Sequence, residues 1–199
     1  MGHRIFADVE TTGLKAYTSH VVEAAIVVLD EHLEEVDHFQ TFSNPGEEAL
    51  QQASPEALRV NRISPEDLRA APPAEDAARA LQSFLGRYPG PIHAFNNDFD
   101  LWFLARSPWF VPSRQWGECV MLAAMKAMKE ADALETRWDG GPKWPRLEEA
   151  ARFFGIPVAE SHRALDDART ASRIYAAILR SRKDVDLLDE ARSLMDDGY

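Results

Sequence analysis

Asp8 and Glu10 stand two residues apart at the end of an apolar run, in IFADVETTGL (5–14), and a Thr-Thr-Gly turn follows at once. On a strand, side chains at i and i+2 project to the same face a few ångströms apart, so this pair can reach one metal ion. Arg4, Phe6, Asp8 and Glu10 would share that face, with Ile5, Ala7 and Val9 on the other. The same alternation also describes a solvated strand edge. In IHAFNNDFDLWFLARS (92–107), Asp100 has two readings. It belongs to the first turn of a helix capped by Asn97, where the macrodipole favours carboxylates, or it sits past a strand end in the same rim as Asp8.

The third carboxylate group is SHRALDDARTASRIYAAILRSR (161–182). At about 100° per residue, Leu165, Ala168, Ala171, Ile174, Tyr175, Ile178 and Leu179 form an apolar face that includes Asp167, whereas Asp166 lines up with Arg169 and Arg173. A carboxylate on a core-facing stripe is costly unless paired or metal-bound. His162 falls at the start of this helix, beside Ser161 as a candidate cap. A histidine there is an ordinary loop residue, or, next to a metal site, a base whose pKa suits taking a proton from water.

Four carboxylates about 5 Å apart, at an effective dielectric of about 20, repel by about 3 kcal/mol per pair and on the order of 20 kcal/mol together. Cations must offset this. Cys119 is the only cysteine, so no disulfide or thiolate cluster is possible within the chain and oxygen and nitrogen ligands remain. Two Mg²⁺ or Mn²⁺ ions fit such a set, and a closely spaced pair stabilises both the attacking and the leaving oxygen in phosphodiester cleavage.

The elements that must position these groups follow from pattern. Residues 4–10, 21–29 and 36–42 read as three antiparallel strands joined by short connections. The proline-punctuated stretch 44–73 reads as short helical turns, with Ser54-Pro55 and Ser64-Pro65 as N-caps followed by proline. Residues 74–88 have helical spacing, and PIHAF (91–95) is a strand added in parallel. Helices are expected near 98–106, 119–130, 146–154 and 162–182, with a short strand around QWGEC and an acidic helix from Asp184. The sum is an α/β mixed sheet, three antiparallel strands and then parallel additions, flanked by helices.

The chain has 199 residues, enough for one core, and a formal net charge of -11. That charge argues against a broad basic surface coating a duplex, but not against a local site where cations invert the field. The longest apolar stretch, AAIVVL (24–29), is far short of the roughly 20 residues of a membrane span, and no charged-then-apolar leader is expected at the N-terminus. A cytoplasmic protein with no membrane contact is expected.

Together, DVETTGL, FNNDFDLWFL and HRALDDA resemble, in order, the three motifs of the DnaQ-like 3′-5′ exonucleases. The resemblance is to the DEDDh subgroup, which includes the epsilon subunit of bacterial DNA polymerase III, ribonuclease T and oligoribonuclease, and it spans about residues 4–180. It implies a ribonuclease H-like fold, with Asp8, Glu10, Asp100 and Asp167 as ligands of two divalent ions and His162 as general base. It implies that Thr11, Thr12, Gly13 and Leu14 contact the terminal nucleotide. In the second motif Phe95 replaces the usual histidine while Asn96 keeps the amide, so base contacts there differ. Asn61-Arg62 stands where the family commonly carries His-Gly.

The expected activity is metal-dependent 3′-5′ hydrolysis of terminal phosphodiesters in single-stranded or frayed nucleic acid, releasing nucleoside 5′-monophosphates. The alternatives are a ribonuclease of the same fold that trims 3′ ends or short oligomers, and a non-catalytic binding module. The motifs leave DNA or RNA as substrate open, and likewise a polymerase or a second copy of the chain as partner. Residues 1–182 are expected to form the exonuclease domain and 183–199 an acidic helix or tail of the same domain. In ETRWDGGPKWPR (135–146), Trp138 and Trp144 interleaved with Arg137, Lys143 and Arg146 can stack on and steer a single strand, or anchor the loop on the core.

Overall fold

The structure is a computed structural model and describes residues 2–158 and 163–196. Strands β1 (Arg4–Thr11), β2 (Val21–Leu29) and β3 (Glu35–Phe42) form an antiparallel meander, and β4 (Ile92–His93) adds in parallel to β1, giving the order β3-β2-β1-β4. β1 is therefore central, and the solvated-edge reading of Asp8 and Glu10 does not hold. Every residue of β2 is buried, as expected of a Val- and Ala-rich strand covered on both faces.

Between β3 and β4 run α1 (Glu47–Gln51), α2 (Pro55–Asn61), α3 (Pro65–Ala70) and α4 (Ala74–Leu85). The Ser54 and Ser64 hydroxyls cap α2 and α3, accepting from the amides of Ala57 and Asp67, and proline follows each. After β4 come α5 (Asn97–Leu104), α6 (Val120–Glu130), α7 (Leu147–Phe153) and α8 (Ala164–Asp196).

Period-2 alternation divides the core. Ile5, Ala7 and Val9 of β1 pack with α4 and α5, whereas Phe6 packs with α6, α7 and α8 through Val120, Ala150, Ala168 and Ile174. The result is a sheet with helices on both faces, the mixed α/β architecture that the pattern predicts. At the end of β1 the register slips, so that Thr11 pairs with Val21 rather than Val22. The extra residue, Val22, turns into a small cluster with Leu50, Ile63 and Leu68 under the short helices.

Three expectations need correction. QWGEC is not a strand but a single bridge, Trp116 to Ile92. Asn97 does not cap α5: Asn96 holds that position, and the buried Asn97 side chain accepts from the Ala94 amide (2.7 Å) and donates to the Gly117 carbonyl (2.9 Å). That clamp turns the chain out of the sheet and ends β4 after two residues. Finally, α8 runs unbroken through Asp196 rather than stopping at 182, since no Gly or Pro interrupts 164–196. No helix among the described residues is long and apolar enough to cross a membrane.

Candidate active site

Carboxylate oxygens of Asp8, Glu10 and Asp167 lie within 4.8 Å of one another. β1 presents Asp8 and Glu10 on its Phe6 face, over which α8 packs, and the apolar stripe of α8 delivers Asp167 to the same point. Asp166 turns instead toward Arg163 and Arg169, both of which feel its charge. Asp100 is buried beside this group but differently used: its Oδ1 accepts the Val9 amide at 3.1 Å. The Val9 N–H lies on the edge where the Ile5 amide bonds Pro91, so Asp100 takes a place that β4 would fill if it continued. His162 and Ser161 lie outside the described residues.

The electrostatics follow from this crowding. Burial, and then the charges of Asp100, Asp167, Glu10 and Glu23, hold the Asp8 carboxyl well above its ordinary range. Glu10 is pushed up to about 8, by burial first and then by Asp167 and Glu23, against the opposing effect of Arg163. Burial also raises Asp100, although its bond from the Val9 amide works the other way. An all-oxygen, desolvated and mutually repelling set of acids is the donor chemistry that hard divalent cations fit.

Sequence reasoning missed the group behind this cluster. Glu23 is fully buried in β2, directly opposite Glu10 in the strand register. Arg163, just before α8, reaches it with Nε 3.2 and 3.3 Å from the two carboxylate oxygens and a terminal nitrogen at 3.1 Å, and Gln40 of β3 donates to it as well. The guanidinium also lies over the Phe42 ring at 5.1 Å. The signal was a lone glutamate inside an apolar run, a position that needs a partner.

The exonuclease family model RNase_T matches residues 5–175. The chain belongs to that exonuclease family, as the DnaQ-like motifs imply. PolC-type DNA polymerases III are among its relatives: the Staphylococcus haemolyticus protein is 24% identical over 182 residues, covering 89% of this chain and 11% of the relative. The Halalkalibacterium halodurans protein is 26% identical over 195 residues, covering 96% and 12%. The chain thus spans about a tenth of the length of these polymerases. Among solved structures, E. coli Exonuclease I in complex with a dA16 oligonucleotide superimposes with a TM-score of 0.70 at 19% identity, covering 92% of this chain and 42% of that one. Exonuclease I from Methylocaldum szegediense gives 0.69 at 21% identity, covering 92% and 41%. These likenesses show the shared fold.

In this exonuclease-family chain, the turn after β1 is held from three sides. The Thr11 hydroxyl donates to the Gly13 carbonyl (2.8 Å), the Thr12 hydroxyl accepts the His20 amide (2.9 Å), and the Asn61 amide donates to the Thr11 carbonyl (3.0 Å). Asn61 is buried, so the departure from His-Gly at this position has a structural use. A Cβ on Gly13 would come within 2.8 Å of the Ser19 hydroxyl, which would have to swing aside to admit one. Glu10 and residues 11–14 open onto a cavity of about 730 Å³ that Ser54, Val60 and Asn61 also line. Leu14 stands 84% exposed at its rim. Of the second-motif pair, the exposed Asn96 lines an adjoining cleft, whereas Phe95 is partly buried against the α6 and α8 core and lines neither space. Trp138 and Trp144 are exposed, so they do not anchor their loop on the core; Trp144 lines the cleft that Asn96 lines, whereas Trp138 lines neither space and has no place in strand binding.

Proposed function

We propose that the chain is a metal-dependent 3′-5′ exonuclease that hydrolyses terminal phosphodiesters of single-stranded or frayed nucleic acid and releases nucleoside 5′-monophosphates. The observation that carries this is the convergence of Asp8, Glu10 and Asp167 within 4.8 Å, with Glu10 itself lining the cavity beside the Thr11–Leu14 turn. Asp8, Glu10, Asp100 and Asp167 would hold two divalent ions, Mg²⁺ or Mn²⁺. When bound, such ions neutralise developing charge on the phosphodiester and favour attack by water. His162 takes the proton of the attacking water. The Thr11–Leu14 turn positions the terminal nucleotide, with Gly13 allowing close approach of the backbone. The Exonuclease I complex with dA16 supports a nucleic-acid strand as the ligand. Residues 1–182 serve as the exonuclease domain, with 183–199 an extension of the same domain.

The test is hydrolysis of 3′- or 5′-blocked DNA and RNA oligonucleotides by the purified chain with Mg²⁺ or Mn²⁺. A 3′ block should stop degradation, a 5′ block should not, and Asp8→Ala should be inactive. Degradation that ignores the 3′ block would overturn the polarity. The DNA and RNA arms decide the substrate.

A further inference from the structure

Beyond Leu14 and Phe99 the first cavity continues into a second space of about 560 Å³, and Leu14, Lys15 and Phe99 line both. The second space holds none of the clustered carboxylates. Its walls are aromatic: Tyr17 from the turn after β1, Trp102 from α5 and Trp144 from the loop before α7. These rings are 68%, 61% and 63% exposed, respectively. Among the described residues none of the three makes a ring contact or a side-chain hydrogen bond with the rest of the chain. Three elements thus present large apolar rings to one cleft without using them for packing. Lys15 and Arg106 stand in the same walls, and among the described residues neither side chain is engaged in an ion pair. Asp98 is the acid that lines the space.

Flat π faces with unengaged cations between them are what a single nucleic-acid strand needs: bases stack on the rings and phosphates meet the cations. In a chain of net charge -11, cations without an acidic partner beside an acidic cluster are also where an incoming polyanion would first be drawn. We infer that the cleft between Tyr17, Trp102 and Trp144 is a nucleobase subsite for the unpaired nucleotides preceding the 3′-terminal one. Stacked there, those bases hold the strand while the chain end enters the first cavity. The inference deepens the proposed function and rests on it. It adds a substrate class: single strands several nucleotides long should be bound well and dinucleotides poorly.

Binding is measured without catalysis, in EDTA, by fluorescence anisotropy of 5′-labelled oligothymidylates of two, four and eight nucleotides. Affinity should rise from the dinucleotide to the tetranucleotide by about tenfold for each base that stacks. The exposed pair Trp102→Ala and Trp144→Ala, made together, should flatten that rise. Trp138→Ala is the control, because Trp138 is 95% exposed in the same loop and does not line the cleft. A flat length dependence in the unmodified protein, or an equal loss in Trp138→Ala, would overturn the subsite. Mg²⁺ and Mn²⁺ are then added to the same samples. Tryptophan-dependent binding without degradation would overturn the exonuclease reading and leave the subsite standing, whereas degradation with flat binding would do the reverse.

Discussion

Glu10 on β1 and Glu23 on β2 are partners across the sheet, yet they are treated in opposite ways. Glu23 is sealed from solvent and met by Arg163 and Gln40. Glu10 faces Asp8 and Asp167, and its carboxyl is pushed up to about 8. Among the described residues, the charges that raise the Asp8 carboxyl most are those of Asp100, Asp167, Glu10 and Glu23. One acid is completed within the chain and serves the fold. The other belongs to a group of acids that raise one another's carboxyls, and their mutual repulsion weakens the fold.

That contrast breaks most visibly in the acidic cluster. Asp167→Asn should reduce hydrolysis on the order of a thousandfold, because a metal's stabilisation of the transition state is worth several kcal/mol. The same variant should melt higher than the unmodified chain in EDTA, as one repelling charge is gone. Asp166→Asn should change neither. Equal loss of activity in both variants would refute the division of the two aspartates between inner and outer faces of α8.

Arg163→Leu attacks the completed acid. It leaves Glu23 buried without its cation and should cost about 3 to 5 kcal/mol in denaturant unfolding. Replacing Glu23 and Arg163 together by leucine should recover most of that loss. A double variant as unstable as the single one would show that Arg163 acts through something other than this pair.

The pH dependence sharpens the comparison. Glu10 binds its proton more tightly in the folded chain, at about 8 against an ordinary 4.5. The folded state therefore holds more protons than the unfolded one between those values, and stability falls as pH rises through that window. The raised carboxyls of Asp8 and Asp100 act in the same direction. Melting temperatures in EDTA should decline across the window, and Mg²⁺ should raise them more near its upper end, where fewer protons must be displaced. Melting temperatures that rise with pH in EDTA would contradict the crowding. A smaller effect is expected of Asn61→Ala, which leaves the Thr11 carbonyl without its donor and should cost about 1 to 3 kcal/mol in stability.

Much of this was legible in the sequence because it is carried by short periods. The i, i+2 spacing put Asp8 and Glu10 on one face, and helical spacing separated Asp167 from Asp166. The strand pattern gave the meander and the parallel fourth strand. What was not legible depends on pairing across the sheet or on distant contacts. Glu23 reads as one polar residue in an apolar strand until the register sets it beside Glu10, and its cation lies 140 residues away. Asn96 and Asn97 offer the same chemistry to a helix start, so only the Ala94 and Gly117 contacts decide between them. Asp100 could be placed in the rim, but its grip on the Val9 amide could not be read from spacing.

That grip makes the candidate site a competitor of the sheet. β1 and β4 zip together for two residues and stop, and a carboxylate occupies the next rung. Lengthening β4 past Ala94 would extend the ladder and evict Asp100, giving a longer sheet with one acid fewer at its end. The truncated strand therefore leaves a rung that Asn97 reserves for Asp100, and the chemistry proposed for this chain depends on the sheet remaining unfinished at that corner.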